Sequence, residues 1–219
     1  HQLYKDKKDC HLIAKNREEL ETLSSAYGYN YSVCNVLNLN FIDRLIKDLF
    51  STEILGIAYC VGSIDLKPLK TTQAKDFISS YVLNVVSVTE IIKAFQENLK
   101  KNNGSIVLFS TVAARRGFVN HSIISSVKAA IEGLTVSLAA ELAPKIRINC
   151  IAPSLTKSKI SNFLFENIKN VDAIQKLHPL KRLGEGKDIA SLAKFLLSPE
   201  NSWITGQIIG IDGGRSAVA

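Results

Sequence analysis

Short β-rich apolar runs alternate with longer stretches of helical period along nearly the whole chain, and this limits the possible folds more than any other feature. CHLIA (10–14), YSVCNV (31–36), EILGIAYC (53–60), GSIVLFS (104–110), KIRINCIA (145–152) and QIIGID (207–212) read as strands. Residues 17–28, 40–50, 72–100 and 122–143 carry helical spacing, with weaker helices at 158–168 and 187–197. Gly28 stops the first of these helices, Asn40 stands as N-cap of the second, and Pro144 ends the long one at 122–143. Strands that are apolar throughout are buried on both faces, which requires a parallel sheet with helices on both sides. Right-handed crossovers make such a sheet doubly wound, and doubly wound sheets bind ligands at the carboxyl ends of their strands. No linker, repeat or low-complexity tract divides the chain, so residues 1–219 are expected to form one domain.

The net charge of +7 invites a search for a nucleic-acid surface. The basic residues are scattered, with KDKK at 5–8 the densest run, and no stripe interleaves them with aromatics. A lysine-rich surface without nucleic acid is the reading, and a small anionic ligand fits the charge equally well. No apolar run approaches the ~18 residues of a membrane helix, and no charged-then-apolar leader opens the chain, so no membrane partner and a cytoplasmic location are expected. Cys10, Cys34, Cys60 and Cys150 are widely spaced and lie in or beside apolar strands. They read as buried, reduced thiols, with neither metal nor disulfide.

Seven stretches together resemble the short-chain dehydrogenase/reductase family, nearest its acyl-carrier-protein reductase-like branch. They are AKNREEL (14–20), YCVGS (59–63), YVLNVV (81–86), SIVLFSTVAA (105–114), residues 126–154, HPLKRLGEGKDIA (178–190) and SWITGQIIGIDGG (202–214). No single one is decisive; their order and spacing carry the resemblance. It implies an α/β, Rossmann-type domain that binds a dinucleotide. The family's first strand and its TGxxxGxG loop have no counterpart here, and HQLYKDKKD reads as the tail of the helix after that loop. The expected sheet therefore lacks a central strand, and the neighbours of that strand have exposed edges.

The resemblance also implies a cofactor site. A basic residue at the end of the second family strand pairs with a 2′-phosphate, whereas an acidic one accepts from a free 2′-hydroxyl. Lys15, Asn16 and Arg17 stand there without an acid, so NADP is expected rather than NAD. Asn35 takes a place near the adenine, Gly62 lets the backbone pass close to the cofactor, and Pro153, Thr156 and Ser158 follow the sixth family strand. Residues 156–175 are expected to form a substrate lid, with Phe163, Leu164 and Phe165 as its apolar face.

The family's catalytic set is Asn, Ser, Tyr and Lys. The Tyr exchanges a proton with substrate oxygen, the Lys lowers its pKa and holds ribose, the Ser binds substrate oxygen, and the Asn supports a water relay. Asn84 and Lys128 match two members. Thr111 stands at the Ser position, thirteen residues before the Tyr position, and the Tyr position is Ile124. Ser110, one step before Thr111, is expected to face the other way. Isoleucine cannot move a proton. His121, seven residues before Lys128, is a candidate substitute; Ser125, Ser126, Tyr59 and Tyr81 are others. The expected function is NADP(H)-dependent oxidoreduction of a carbonyl/alcohol pair or an activated C=C bond in a small molecule. A catalytically inactive dinucleotide-binding or scaffold subunit is the alternative. Homodimers or homotetramers are expected, with Trp203 and the last strand at a contact.

Overall fold

The computed structural model describes residues 1–166 and 171–218. The chain runs α1 (Gln2–Lys5), β1 (His11–Ala14), α2 (Arg17–Tyr27), β2 (Asn30–Val33), α3 (Phe41–Asp48), β3 (Gly56–Ala58), α4 (Ala74–Tyr81), a π-helical turn (Val82–Val86), α5 (Ser87–Lys101), β4 (Ser105–Phe109), α6 (Ser122–Leu142), β5 (Arg147–Pro153), β6 (Thr156–Lys157), α7 (Asn162–Glu166), α8 (Val171–Lys176), β7 (Gly184–Glu185), α9 (Gly186–Leu197) and β8 (Ile208–Ile211). Every strand pairing is parallel, with order β3-β4-β5-β8 in the main sheet, β1-β2 in a second, and β6-β7 in a small third.

Alternation within β4 and β5 builds two cores at once. Ile106, Leu108, Ile148 and Cys150 pack on the side of α5 and α6, together with Leu45 and Leu49 from the α3 region. Val107 and Ile151 point the other way, against Leu196 of α9. Arg147 is buried at the foot of β5, where its guanidinium donates to the carbonyls of Leu196, Ser198 and Ile204. A cation at the carboxyl end of α9 answers both the unpaired carbonyls and the helix dipole.

The parallel sheet is divided between β1 and β3, which are not paired with each other. β4 and β5 are almost wholly buried, whereas β1 and β3 are partly exposed. Tyr59 N–H donates to the Val107 carbonyl, so in a parallel ladder the preceding Ala58 N–H faces away from β4. Likewise the Ala14 carbonyl accepts from Cys34, which turns the Ile13 carbonyl away from β2. Helix α3, packed on α5, holds the β1–β2 ribbon to the larger body.

Several boundaries differ from expectation. The strand expected at 53–60 is only Gly56–Ala58, since one of its edges has no ladder to extend it. Asn40 precedes α3 without a side-chain capping bond, whereas Asn16 does cap α2 and Gly28 closes it at φ 70°. The weak helix at 158–168 begins as a tight 3-10 turn and continues as α7, and its last two residues lie outside the described ones. Cys34 and Cys150 are buried and all four thiols are free, but Cys60 is exposed because it lies past the end of β3. Residues 74–101 and α6 are long and apolar enough to cross a membrane by length and composition, although no such run was expected. Here they are the layer that covers the sheet.

Hydrogen exchange should read the split directly. The Tyr59 amide is expected to exchange roughly a hundredfold more slowly than that of Ala58. Equal protection of the two would mean that another strand covers the free edge of β3.

Candidate dinucleotide and substrate site

The π-helical turn at Val82–Val86 interrupts an otherwise continuous helix, and Asn84 lies at its centre. Such turns widen the backbone ladder and re-aim a side chain. Asn84 is 1% exposed. Its Nδ2 donates to the Ser80 carbonyl at 2.9 Å, and its Oδ1 is buried with no hydrogen-bond partner among the described residues. An unpaired buried carbonyl oxygen is costly and marks a place built to receive a donor.

Lys128, on α6, converges on the same point. Its Nζ donates to the Phe109 carbonyl at 2.9 Å, at the end of β4. Burial lowers its pKa to about 8. Gly62 completes the group: a Cβ there would lie 2.9 Å from Asn84 Oδ1 and 3.1 Å from Lys128 Nζ. The glycine keeps this space clear, next to a lysine with unused N–H groups and an amide oxygen without a partner. That donor and acceptor set fits a sugar hydroxyl, which both gives and takes a hydrogen bond.

Thr111 follows β4 at its carboxyl end. Its hydroxyl reaches the Pro153 carbonyl at 3.4 Å and accepts from Ala113 N–H at 3.3 Å, both long bonds. Ser110 faces inward instead, donating to Glu132 at 2.8 Å, with the Lys128 carbonyl at 3.2 Å. Thr156 donates to the Ser154 carbonyl, and Ser158 closes a box with Ser161. Lys15 is exposed at the end of β1 and makes no ion pair among the described residues. Asn16 Oδ1 caps α2, and Asn35 Oδ1 accepts from Leu37 N–H at 3.1 Å. Gly62, Asn84 and Lys128 therefore meet, as do Thr111 and Pro153. No hydrogen bond among the described residues joins Lys15, Asn16, Asn35 or His121 to either group.

Ile124, where the family resemblance expects the proton donor, is buried at 5% exposure. Tyr59 does not replace it. Its hydroxyl is tied to the Leu83 carbonyl and to Ser87, and burial pushes its pKa to about 12. Tyr81 is 46% exposed on the outside of the helix. Ser126 bonds back to the Ile123 carbonyl. His121 shares a cavity with Ser125. Its Nδ1 lies 2.7 Å from the Val119 carbonyl, which can only accept, so Nδ1 carries the proton and Nε2 is left open.

Two polar features escaped the sequence reading. Glu132, 8% exposed on α6, accepts from Ser110 and, at 2.6 Å, from Arg115. Its place one turn after Lys128 was the available signal. His178 is 1% exposed, between Ser154 Oγ at 2.8 Å and the Ile174 carbonyl at 2.9 Å, a satisfied structural histidine. No metal-ligating cluster occurs among the described residues.

Comparison with known proteins supplies the lineage. A family model described as enoyl-(acyl carrier protein) reductase matches residues 10–216. The chain belongs to the short-chain dehydrogenase/reductase family. It is 33% identical over 218 residues to a chloroplastic tropinone reductase homolog of Arabidopsis thaliana, covering 95% of this chain and 68% of the relative. Dehydrogenase/reductase SDR family member 4 of Mus musculus is 37% identical over 134 residues, 60% of this chain and 48% of that protein. A short-chain dehydrogenase/reductase structure from Brucella melitensis superposes with a TM-score of 0.91 at 25% identity, covering 97% of this chain and 88% of its own. ElxO with NADP bound gives 0.88 at 24%, covering 98% and 91%. The Rossmann-type fold and the kinship with short-chain oxidoreductases are thereby shown.

The lysine makes a signed prediction. In the folded chain it loses its proton near pH 8, and in the unfolded chain near its ordinary value of 10.5. Between these values the unfolded chain binds more protons, so stability rises with pH across that window. Urea unfolding should show this gain, on the order of 3 kcal/mol at most, and Lys128→Met should abolish it. A gain that survives in the variant would place the titration elsewhere.

Proposed function

We propose that this short-chain family member is an NADP(H)-dependent oxidoreductase acting on a carbonyl/alcohol pair or an activated C=C bond of a small molecule. The observation that carries the reading is the meeting of Gly62, Asn84 Oδ1 and Lys128 Nζ around a cleared space. When bound, the dinucleotide supplies the hydride. Lys128 holds a ribose hydroxyl through its free N–H groups, and Asn84 Oδ1 accepts from that hydroxyl or from water. Lys15, exposed and unpaired among the described residues, takes the 2′-phosphate. Thr111 orients a substrate oxygen, its long bonds leaving the hydroxyl free to turn.

The missing tyrosine narrows the chemistry. Reduction of an isolated ketone produces a localised alkoxide that needs an acid at once. Quinones and enones produce a delocalised anion instead, which can wait for a proton from water or from His121. His121 donates from Nε2 only as the imidazolium, since Nδ1 is bound to Val119. Substrates with delocalised anions therefore suit this site better than simple ketones. The buried Ile124 favours a second reading, a dinucleotide-binding subunit without catalysis. Four free thiols fit a reducing compartment such as the cytoplasm.

Fluorescence titration with NADPH and NADH tests the reading. NADPH is expected to bind saturably and more tightly than NADH, with Lys15→Glu weakening NADPH alone by about tenfold. No binding of either at millimolar concentration would remove the oxidoreductase reading and leave a scaffold. Binding without oxidation of NADPH by any quinone or enone would select the non-catalytic subunit.

An apolar surface ridge and an exposed tryptophan support a reading of self-association. Ile78, Val82 and Val86 recur every four residues along one ridge and are 63%, 37% and 41% exposed. Trp203, expected at a contact, is 99% exposed near the start of β8. We infer a dimer or tetramer, and light scattering should show Val82→Asp shifting it toward smaller species.

A further inference from the structure

We propose that the substrate of this enzyme carries an anionic group, a carboxylate or a phosphate, held in a basic cavity at the amino-terminal end of α6. The inference rests on the oxidoreductase reading for the word substrate, but the anion site itself stands on its own geometry. The cavity is about 410 Å³, and its basic side is made by Lys67, Arg115, Arg116 and His121. Phe118 and Leu69 give it an apolar side, and none of its twelve lining residues is acidic. This volume falls within the ordinary range for small-molecule sites.

The charges around it are only partly compensated. Lys67 pairs with Asp76 at 2.9 Å, and Arg115 with Glu132 at 2.6 Å. Arg115 is still 61% exposed in its side chain, so part of its guanidinium remains open. Arg116 has no carboxylate partner among the described residues, and its Nη1 donates to the Arg215 carbonyl at 2.5 Å. Arg215 stacks on Phe118, with its guanidinium carbon 5.1 Å from the ring centre. Phe118 in turn lies 5.3 Å from the His121 ring. Burial lowers the Arg215 pKa, and the neighbouring Arg116 charge lowers it further. Arg215 Nε is buried without a partner. Two guanidiniums thus repel each other beside a cavity whose lining holds no acid, with Asp212 offsetting only part of the Arg215 charge. A bound carboxylate or phosphate removes that repulsion and gains charge-assisted hydrogen bonds.

Position joins the cavity to the reaction. Ala113 and Ser125 line it, and they neighbour Thr111 and Ile124 in the chain. A ligand with its anion at Arg116 lies along Phe118, beside Ala113, which is two residues after Thr111 in the chain. Specificity then comes from the anion.

Calorimetric titration of the whole chain, without cofactor, tests this with 4-acetylbenzoate, 4-acetylphenyl phosphate and the neutral 4-acetylbenzamide. At least one anion is expected to bind tenfold or more tightly than the amide, and the tighter of the two identifies carboxylate or phosphate. Arg116→Glu should abolish the preference, and Arg116→Gln should reduce it if the reversed charge disturbs folding. Equal binding of all three, no binding of any, or a preference untouched in both variants overturns the proposal. A parallel titration with NADPH separates the two readings. Anion preference without NADPH binding leaves the site and removes the oxidoreductase; NADPH binding without anion preference does the reverse.

Discussion

Everything at the site hangs from β4 and β5, the two strands buried on both faces. Ile106, Val107, Leu108, Ile148, Cys150 and Ile151 are all wholly enclosed, which ties α5 and α6 to one face and α9 to the other. Removing any of them leaves a cavity that close-packed neighbours fill only in part. The carboxyl end of this pair is therefore a tightly packed platform. Phe109 there anchors Lys128, and Pro153 there meets Thr111.

Lys128 shows what that packing is for. An ammonium taken out of water prefers to lose its charge, and its one backbone bond does not restore what bulk water gave. The fold tolerates this because the helix is held in place by its apolar neighbours Val127 and Ile131. Asn84 imposes a second cost of the same kind, a buried oxygen without a donor. Two such penalties face one space kept open by a glycine, and in the proposed reading a ribose hydroxyl answers both.

The sequence makes the frame legible because burial on both faces writes an unbroken apolar run. GSIVLFS and KIRINCIA read at once as strands and proved to be the central pair. EILGIAYC reads equally well, yet only three of its residues pair, since a strand is only as long as its ladders. Asn84 and Lys128 were legible through family motifs, but their unmet bonding was not, because it depends on how the π-helical turn aims the amide. The basic cavity was also hidden. Lys67, Arg116 and Arg215 are far apart in the chain, and scattered charge looks like solvated surface until folding gathers it.

Glu132 links the frame to the altered chemistry. By gripping both Ser110 and Arg115 it fixes the segment leaving β4, and with it the height of Thr111 above the strand end. Its carboxylate also neutralises Arg115, which would otherwise crowd a third unpaired guanidinium beside Arg116. The same side chain therefore positions the segment that carries Thr111 and sets the charge balance of the cavity next to it. With isoleucine where the family resemblance expects the donor, the side chain at that position cannot itself fix how a substrate approaches. Orientation then comes from what grips the substrate away from its reacting carbon, and in the proposed anion site that group is Arg116, which has no carboxylate partner among the described residues.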